Sequence, residues 1–212
     1  MKTLLVVNSS PRSQSVSRKL TRLFTEQWKA QNPDGQVIER DLAADALPYV
    51  DEAWIHAVYT PEDQRTAQQK ETLRLSDKLI DEIMKADVIV LGIPMHNFTI
   101  PAMLKAWFDQ ITRAGKTFSY GANGPEGLVP QGKKVVAVVS RGGAYPLNSP
   151  YAAFDFQVPY VRHMLAFIGL TDVTFVDADK QAMGAEIAQQ SVELAENHIN
   201  SLAQHLASQA VA

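Results

Sequence analysis

The sequence predicts a doubly wound α/β fold, in which helices cover both faces of a five-stranded parallel sheet. Short apolar runs rich in β-branched residues alternate with longer segments whose apolar residues recur at helical spacing. The apolar runs do not alternate cleanly with polar residues, as expected for strands that are buried on both faces. The length of 212 residues suits a single domain over residues 1–212.

Five segments are the predicted strands, and their alternation with helices implies right-handed crossovers. Four are strongly apolar, and one is weaker and ends at Asp41. The strong segments are Thr3–Val7, Val88–Ile93, Val135–Val139 and Val173–Val176, and the weak one is Val37–Arg40.

Five further segments carry helical patterns. Their apolar residues run from Val16 to Trp28, from Leu75 to Met84, from Ile100 to Ile111, over residues 151–168 and from Ile187 to Leu206. Thr99 is the expected N-cap of the third helix and Gly115 its expected end. The irregular segment 43–68 is long for a connection, which predicts short helices or a cover over a site.

Composition excludes several classes of function. Apolar residues make up 46% and charged residues 20% of the chain, which argues against disorder. A net charge of −3 gives no electrostatic basis for binding nucleic acid or an anionic membrane. The absence of cysteine excludes thiolate zinc sites, iron–sulfur clusters and a cysteine nucleophile. The apolar run near the N-terminus is too short for a signal peptide, so a cytoplasmic location is expected.

The loop after the first strand is rich in serine and opens a helix. It reads Asn8-Ser-Ser-Pro-Arg-Ser-Gln-Ser-Val-Ser-Arg18, and hydroxyls and N–H groups at a helix N-terminus can bind an anion. The loop matches neither GxxxxGK[ST] nor GxGxxG, so a monophosphate fits better than a triphosphate or a dinucleotide. The alternative is a serine-rich capping loop without a ligand.

Two more loops should meet the first at the carboxyl edge of the sheet, where such folds bind ligands. Pro94-Met95-His96-Asn97-Phe98 offers apolar faces and an amide to a flat ring, although Met95 and Phe98 could instead be core residues. Ser140-Arg141-Gly142-Gly143 lets backbone N–H groups approach a ligand, although it could be only a loose turn.

The order of these motifs resembles the FMN-dependent NADH azoreductase and NAD(P)H quinone reductase family across nearly the whole chain. The motifs are NSSPR…SVS, PMHNF followed by IPAMLKAWFDQ, then TFSYGANGPEGL, SRGG and FIGLTDVTFV. The resemblance implies a flavodoxin-like fold with strand order 2-1-3-4-5 and a homodimer with FMN at its interface. It also implies ping-pong transfer of two electrons from NADH or NADPH to small quinone or azo substrates.

The resemblance also assigns residues. Ser10, Ser15, Val16 and Ser17 would bind the FMN phosphate, and residues 95–98 would flank the isoalloxazine ring. Residues 140–143 would bind the pyrimidine end of that ring. Phe118, Tyr120 and Phe167 would shape the substrate pocket, partly from the second subunit.

His96 is the one departure, since many members of the family carry tyrosine there. A histidine could change substrate stacking or donate a proton. His198 and His205 lie seven residues apart on the last predicted helix, where a solvated face is favoured over a metal site. His56 and His163 are expected to be structural or to line a pocket.

Three other functions compete with the reductase. A flavodoxin-like electron carrier would bind FMN without oxidising NAD(P)H itself. A flavin-free module would use the serine loop for another phosphate. A phosphodiester hydrolase would need a metal or base constellation that the sequence does not show. The long segments 43–68 and 144–157 favour an enclosed substrate site, and therefore an enzyme.

Overall fold

The computed structural model describes residues 2–122 and 124–208. The strands are β1 Thr3–Asn8, β2 Gln36–Asp41, β3 Val88–Pro94, β4 Phe118–Gly121, β5 Gly124–Gly127, β6 Lys134–Ser140 and β7 Val173–Ala178. Five of them form one parallel sheet in the order β2-β1-β3-β6-β7, and β4 and β5 form a separate antiparallel pair. The parallel sheet and its predicted order 2-1-3-4-5 are confirmed, because β6 and β7 are the fourth and fifth strands of that sheet.

The helices are α1 Val16–Gln31, α2 Glu52–Tyr59, α3 Ala67–Lys85, α4 Ala102–Ile111, α5 Gln157–Phe167 and α6 Ala185–Ser208. On one face of the sheet, buried residues of α3, α4 and α5 pack in a single apolar cluster, and on the other face α1 and α6 do the same. Neighbouring residues of β1 divide between the faces: Leu5 joins the first cluster and Leu4 the second. Both faces are therefore covered, which is why the strand sequences do not alternate.

The segment 43–68 contains α2 and a short 3₁₀ turn, Glu62–Gln64, so the prediction of short helices is confirmed. Trp54 on α2 anchors the segment, because its indole N–H donates to the side chain of Gln110 at 3.0 Å. The Gln110 amide in turn donates to the carbonyl of Pro48 at 3.1 Å. These two bonds fix an otherwise exposed connection to α4.

The predicted ends of α4 were wrong. Its N-cap is Pro101 rather than Thr99, because Thr99 exchanges backbone hydrogen bonds with His96 in a tight turn. The helix ends at Ile111, four residues before Gly115. Gly115 instead has φ +76 in the turn that leads to β4, a conformation that glycine adopts without steric cost.

The single helix expected over residues 151–168 is two pieces. A 3₁₀ turn, Ala152–Phe154, precedes α5, and Asp155 lies between them. The Asp155 carboxylate accepts hydrogen bonds from the N–H groups of Gln157 and Val158, at 2.9 and 3.0 Å. It therefore satisfies the free donors at the start of α5 and sets where that helix begins.

The hairpin of β4 and β5 was not predicted, since its strands read FSYG and GPEG and lack the apolar runs of the main sheet. Packing supports it instead. Phe118 lies 4.7 Å from Phe167 between ring centroids. A Cβ added at Gly127 would lie 2.2 Å from the backbone nitrogen of Gly169, so the backbones of the two glycines are in direct contact.

In the part of the chain that the structure describes, no helix is both long enough and apolar enough to cross a membrane.

Candidate functional site

The carboxyl ends of β1, β3, β6 and β7 lie side by side at one edge of the sheet. Asn8 is in register with Gly92, Pro94 with Ser140, and Ser140 with Ala178. Ser9 joins the ends of β1 and β3, since its N–H and its hydroxyl both donate to the Gly92 carbonyl, at 3.1 and 2.7 Å. The three predicted loops therefore start at the same level, as the switch-point rule requires.

The serine loop places its hydroxyls around the start of α1. Ser15 is the N-cap, and its Oγ accepts from the N–H of Arg18 at 3.3 Å. The Ser15 and Ser17 hydroxyl oxygens lie 3.4 Å apart. Ser10 is almost fully buried, and its Oγ accepts from the N–H of Arg12 at 3.3 Å. The remaining N–H groups of the first turn have no acceptor inside the helix, so the loop can bind an anion.

The two arginines of this loop have different roles. Arg12 lines the cleft described below and forms no ion pair with described residues. Arg18 is turned toward β2, where its guanidinium donates to the Asp41 carboxylate at 2.6 and 2.8 Å. It also donates to the carbonyl of Ser10 at 2.6 and 3.0 Å, which holds the loop in place.

The Arg18 hydrogen bonds to the Asp41 carboxylate lower the pKa of Asp41 below its ordinary value of 3.8. Arg18 therefore stabilises the serine loop from the β2 side. Its charge is paired with Asp41 rather than directed at the cleft.

The second loop is a tight turn that presents its side chains outward. The N–H of His96 donates to the Thr99 carbonyl at 2.9 Å, and the N–H of Thr99 returns a bond to the His96 carbonyl at 3.1 Å. Asn97 and Phe98, between them, have φ +47 and +70. Positive φ at both central residues is the geometry of a type I′ turn. The strained conformation leaves both side chains exposed.

The third loop uses its carbonyls for structure and leaves N–H groups free. The carbonyls of Arg141, Gly142 and Gly143 accept from the N–H groups of residues 181, 182 and 180, at 3.1, 3.0 and 3.0 Å. Within the described parts of the chain, the N–H groups of Gly142 and Gly143 have no acceptor. Such donors would suit the polar edge of a ligand.

Arg141 contributes differently from what its place in the motif suggests. Its guanidinium is buried and pairs with Asp155 at 2.7 Å and with Asp177. The third guanidinium nitrogen, Nε, is buried without a partner. The side chain therefore ties the third loop to the start of α5 and to β7, and what remains for a ligand is the main chain.

A cleft of about 370 Å³, which we call the loop cleft, lies where these loops meet. Eight of the twelve predicted cofactor-binding residues line it: Ser10, Ser15, Val16, Met95, His96, Ser140, Arg141 and Gly142. Ser17 is fully buried behind Ser15, and Asn97 is exposed outside the lining. The sequence did not indicate that Gln181 and Ala182 also line the cleft, although the rule that strand ends converge pointed to the segment after β7.

An apolar pocket of about 640 Å³ adjoins the loop cleft. Phe98 and Gly143, the remaining two predicted cofactor-binding residues, lie on its wall. The pocket is named the aromatic pocket here, and its other lining side chains include Tyr145, Tyr151, Phe154, Lys180 and Met183. Its existence agrees with the expectation that segment 144–157 encloses a site, but the residues that line it were not predicted.

The three predicted substrate-pocket residues form a separate cluster. Phe118 packs against Phe167 and, at 5.4 Å between centroids, against Tyr120. Phe118 is 8% exposed and Tyr120 is 77% exposed. None of the three lines the loop cleft or the aromatic pocket of the same chain. Their assignment to a substrate site stays a prediction.

The histidines other than His96 lie outside both cavities. His56, His163, His198 and His205 are all exposed on helices. Among residues 2–122 and 124–208, no group of three or more histidine, aspartate and glutamate side chains is placed to hold a metal ion.

The loop cleft fits FMN. It combines serine hydroxyls and helix N–H groups from the first loop, Met95 and His96 from the second, and the free N–H group of Gly142 from the third. A phosphate monoester suits the first set and a ring with acceptor atoms suits the last.

Comparisons with known proteins agree with the geometry. A family model described as a flavodoxin-like fold matches residues 2–203. An FMN-dependent NADH:quinone oxidoreductase of Nostoc sp. is 47% identical over 94% of this chain and 97% of its own length. A protein of the same description from Herminiimonas arsenicoxydans is 46% identical over 95% of this chain and 98% of its own. The crystal structure of an azoreductase from Bacillus anthracis strain Sterne superposes with TM-score 0.84 and 32% identity, covering 95% and 100% of the two chains.

Proposed function

Since the chain belongs to the flavodoxin-like family whose members include FMN-dependent NADH:quinone oxidoreductases, we propose that it catalyses the same class of reaction. It is an FMN-dependent oxidoreductase that passes two electrons from NADH or NADPH to quinones and azo compounds, taking donor and acceptor in turn. With a quinone, each turnover converts NADH, a proton and the quinone into NAD⁺ and the hydroquinone. The observation that carries the proposal is the convergence of three loops on one cleft with unpaired donors at both ends.

FMN, when bound, supplies a ring that accepts hydride from the donor and passes it to the acceptor. The chain itself binds and orients. Ser10, Ser15 and Val16 would hold the phosphate through hydroxyls and N–H groups, and the buried Ser17 would support the hydroxyl of Ser15 from 3.4 Å. Met95 and the turn at residues 96–98 would flank the ring. The main chain of residues 140–143 would bind its polar edge, where the free N–H groups could stabilise added negative charge.

His96 lines the loop cleft and is exposed, so it can exchange protons with solvent. These two facts support a role as proton donor to the reduced acceptor. Water reaches the same exposed turn and supplies the proton where His96 does not.

The proposal includes a homodimer whose partner completes the substrate site. Exposed aromatic side chains support this, because a monomer gains nothing from leaving them in water. They include Tyr49 and Tyr59 near α2, Tyr120 on the hairpin, and Tyr151, Phe154 and Phe156 before α5. Phe118, Tyr120 and Phe167 would then shape the substrate pocket partly from the second subunit.

The whole chain, residues 1–212, acts as one FMN-binding domain in this proposal. Its two apolar clusters share the strands of a single sheet, which supports that reading. A cytoplasmic location follows from the donor, because reduced nicotinamide nucleotides are held inside the cell.

Anaerobic titration of the purified protein tests the function. The protein should take up one FMN, lose the visible absorption of the oxidised flavin when NADH is added, and regain it when a benzoquinone follows. A flavin that binds but resists both NADH and NADPH would indicate an electron carrier of the flavodoxin type. A protein that takes up no FMN would overturn the assignment of the loop cleft.

A further inference from the structure

Lys180 stands out on the wall of the aromatic pocket, because it is the one charged side chain among the described residues that line it. The other lining residues are apolar or small, apart from the hydroxyl groups of Tyr145, Ser149 and Tyr151. A flat aromatic molecule therefore meets apolar walls on most sides and an ammonium group on one. The Lys180 side chain is exposed at the rim of the pocket, where its ammonium group can pair with an anion whose ring is held against these walls.

The backbone of Lys180 is in a conformation that disfavours lysine. Its φ is +59, in the left-handed region where glycine and asparagine are the usual residues. The turn requires that conformation, since the N–H of Lys180 donates to Gly143 at 3.0 Å and its carbonyl accepts from Met183 at 3.1 Å. Glycine or asparagine would adopt this conformation at a lower energetic cost than lysine does. Strain of this kind at the edge of a pocket points to a role for the side chain.

The charge of Lys180 is not used within the described structure. No ion pair or side-chain hydrogen bond involves its ammonium group there. Asp155 and Asp177 pair with Arg141, and the carboxylate of Asp179, the preceding residue, accepts a hydrogen bond from the hydroxyl of Ser191 at 3.3 Å and none from Lys180. The ammonium is therefore available to a ligand.

The aromatic pocket lies beside the loop cleft. Gly143 and Phe98 line the pocket, and their close neighbours Gly142 and His96 line the cleft. A ring seated between Phe98 and Tyr145 would lie next to the place proposed for the flavin. This places the acceptor, rather than the phosphate of FMN, within reach of Lys180.

We propose that Lys180 selects aromatic acceptors that carry an anionic substituent, such as a sulfonate or a carboxylate. This inference rests on the proposed function and adds a substrate class to it. The ammonium group pairs with the substituent while the aromatic walls hold the ring, so the gain lies in binding of the charged acceptor. An uncharged acceptor of the same shape meets the same walls and gains nothing from the cation.

Two naphthoquinones test the proposal, one carrying a sulfonate and the other its uncharged parent, each with NADH and the FMN-loaded protein. Lys180→Asn removes the charge and suits the left-handed backbone, so the variant should fold with an equal or higher Tm. The ratio of kcat/KM for the sulfonate to kcat/KM for the parent should fall about fivefold in this variant. A change of that size corresponds to the loss of one ion pair at the protein surface. Lys180→Arg should restore most of the ratio, and Lys85→Asn, at the opposite edge of the sheet, should leave it unchanged.

A binding measurement separates this inference from the reductase assignment. Naphthalene sulfonate, which cannot accept electrons, should bind to the wild-type protein in a calorimeter about fivefold more tightly than to Lys180→Asn. The difference should shrink as salt is raised. That result would support the anion site even in a protein that did not oxidise NADH.

Three results would overturn the inference. Equal losses of kcat/KM for the charged and uncharged quinones would mean that Lys180 shapes the pocket without distinguishing the charge of the acceptor. A change confined to the KM for NADH or NADPH would mean that the cation binds the phosphate of the donor. Equal binding of naphthalene sulfonate to wild type and Lys180→Asn would contradict it independently of turnover.

Discussion

Arg141 and Asp155 form a buried ion pair, 2.7 Å between Nη1 and Oδ2, that joins the third loop of the proposed flavin site to the segment before α5. Arg141 belongs to the third loop. Asp155 caps α5, and the next residue, Phe156, donates its N–H to the carbonyl of Phe98 at 3.0 Å. The Phe154 ring lies 5.6 Å from that of Phe98. One short segment thus holds the 95–98 turn and the third loop in a fixed relation.

Asp155→Asn should weaken both stability and flavin binding. Asparagine keeps an oxygen for the N–H groups of α5 but removes the charge opposite a guanidinium whose side chain is 8% exposed. We expect a loss of about 2 kcal/mol in the free energy of unfolding, less than for a fully unpaired buried charge because Asp177 remains. The Kd for FMN should rise severalfold. Urea unfolding of the apoprotein and flavin titration measure the two effects.

Asp177→Asn is the matched control, since its side chain pairs with the same arginine but is 50% exposed. It should cost less than about 1 kcal/mol. If both variants bound FMN as the wild type does, the ion pairs would have no part in positioning the loops.

Ser15→Ala should reduce FMN affinity about tenfold or more, because it removes a hydroxyl expected to donate to a charged phosphate. It should also cost about 1 kcal/mol of stability as the loss of an N-cap. Thr66→Ala provides the comparison. It removes the capping box of α3, away from the cleft, and should lower stability similarly while leaving the Kd for FMN unchanged.

Gly127→Ala should displace the β4–β5 hairpin. The added methyl would lie 2.2 Å from the nitrogen of Gly169, and backbone cannot move aside as a side chain can. We expect a loss of about 2–3 kcal/mol. At Gly121, on the same hairpin, the new methyl would meet only the flexible end of Glu126, so Gly121→Ala should cost under about 0.5 kcal/mol. Chemical unfolding of the two variants decides; similar losses would mean that the hairpin is not held by the glycine contact.

The pairing of Arg18 with Asp41 should make the stability of the serine loop depend on pH. Because the folded-state pKa of Asp41 is lowered, its contribution is fully present above the ordinary value of 3.8 and is lost as pH falls through the lower folded value. The Asp41 side chain is 38% exposed, so screening limits the effect to about 0.5–1 kcal/mol.

Asp41→Asn should therefore be less stable than the wild type by a constant amount from pH 7 down to about pH 4, and the difference should shrink below that. Urea unfolding at several pH values gives the curve. A difference that grew on acidification would have the wrong sign for this ion pair.

Local pattern predicted the sheet because four of its five strands are apolar runs between helical segments, and that order admits few topologies. The first loop followed in the same way: Ser15, the cap of α1, lies where a serine before an amphipathic stretch is expected. The start of α4 could not be predicted in this way. Thr99 looks like an N-cap in the sequence, but its backbone forms a hydrogen-bonded turn with His96. A short-range signal cannot indicate which of two local structures the surrounding contacts favour.

The sequence by itself determined the fold class, the edge of the sheet at which the loops form a cleft and most of the residues that meet there, because strand order and strand ends are properties of the chain pattern. Only the tertiary structure decided what each side chain does. It turned Arg18 toward Asp41, committed Arg141 to Asp155 and brought Lys180 to an aromatic pocket. These contacts join residues that are distant in sequence. The role of a charged side chain depends on its burial and on its partner, and the whole fold decides both.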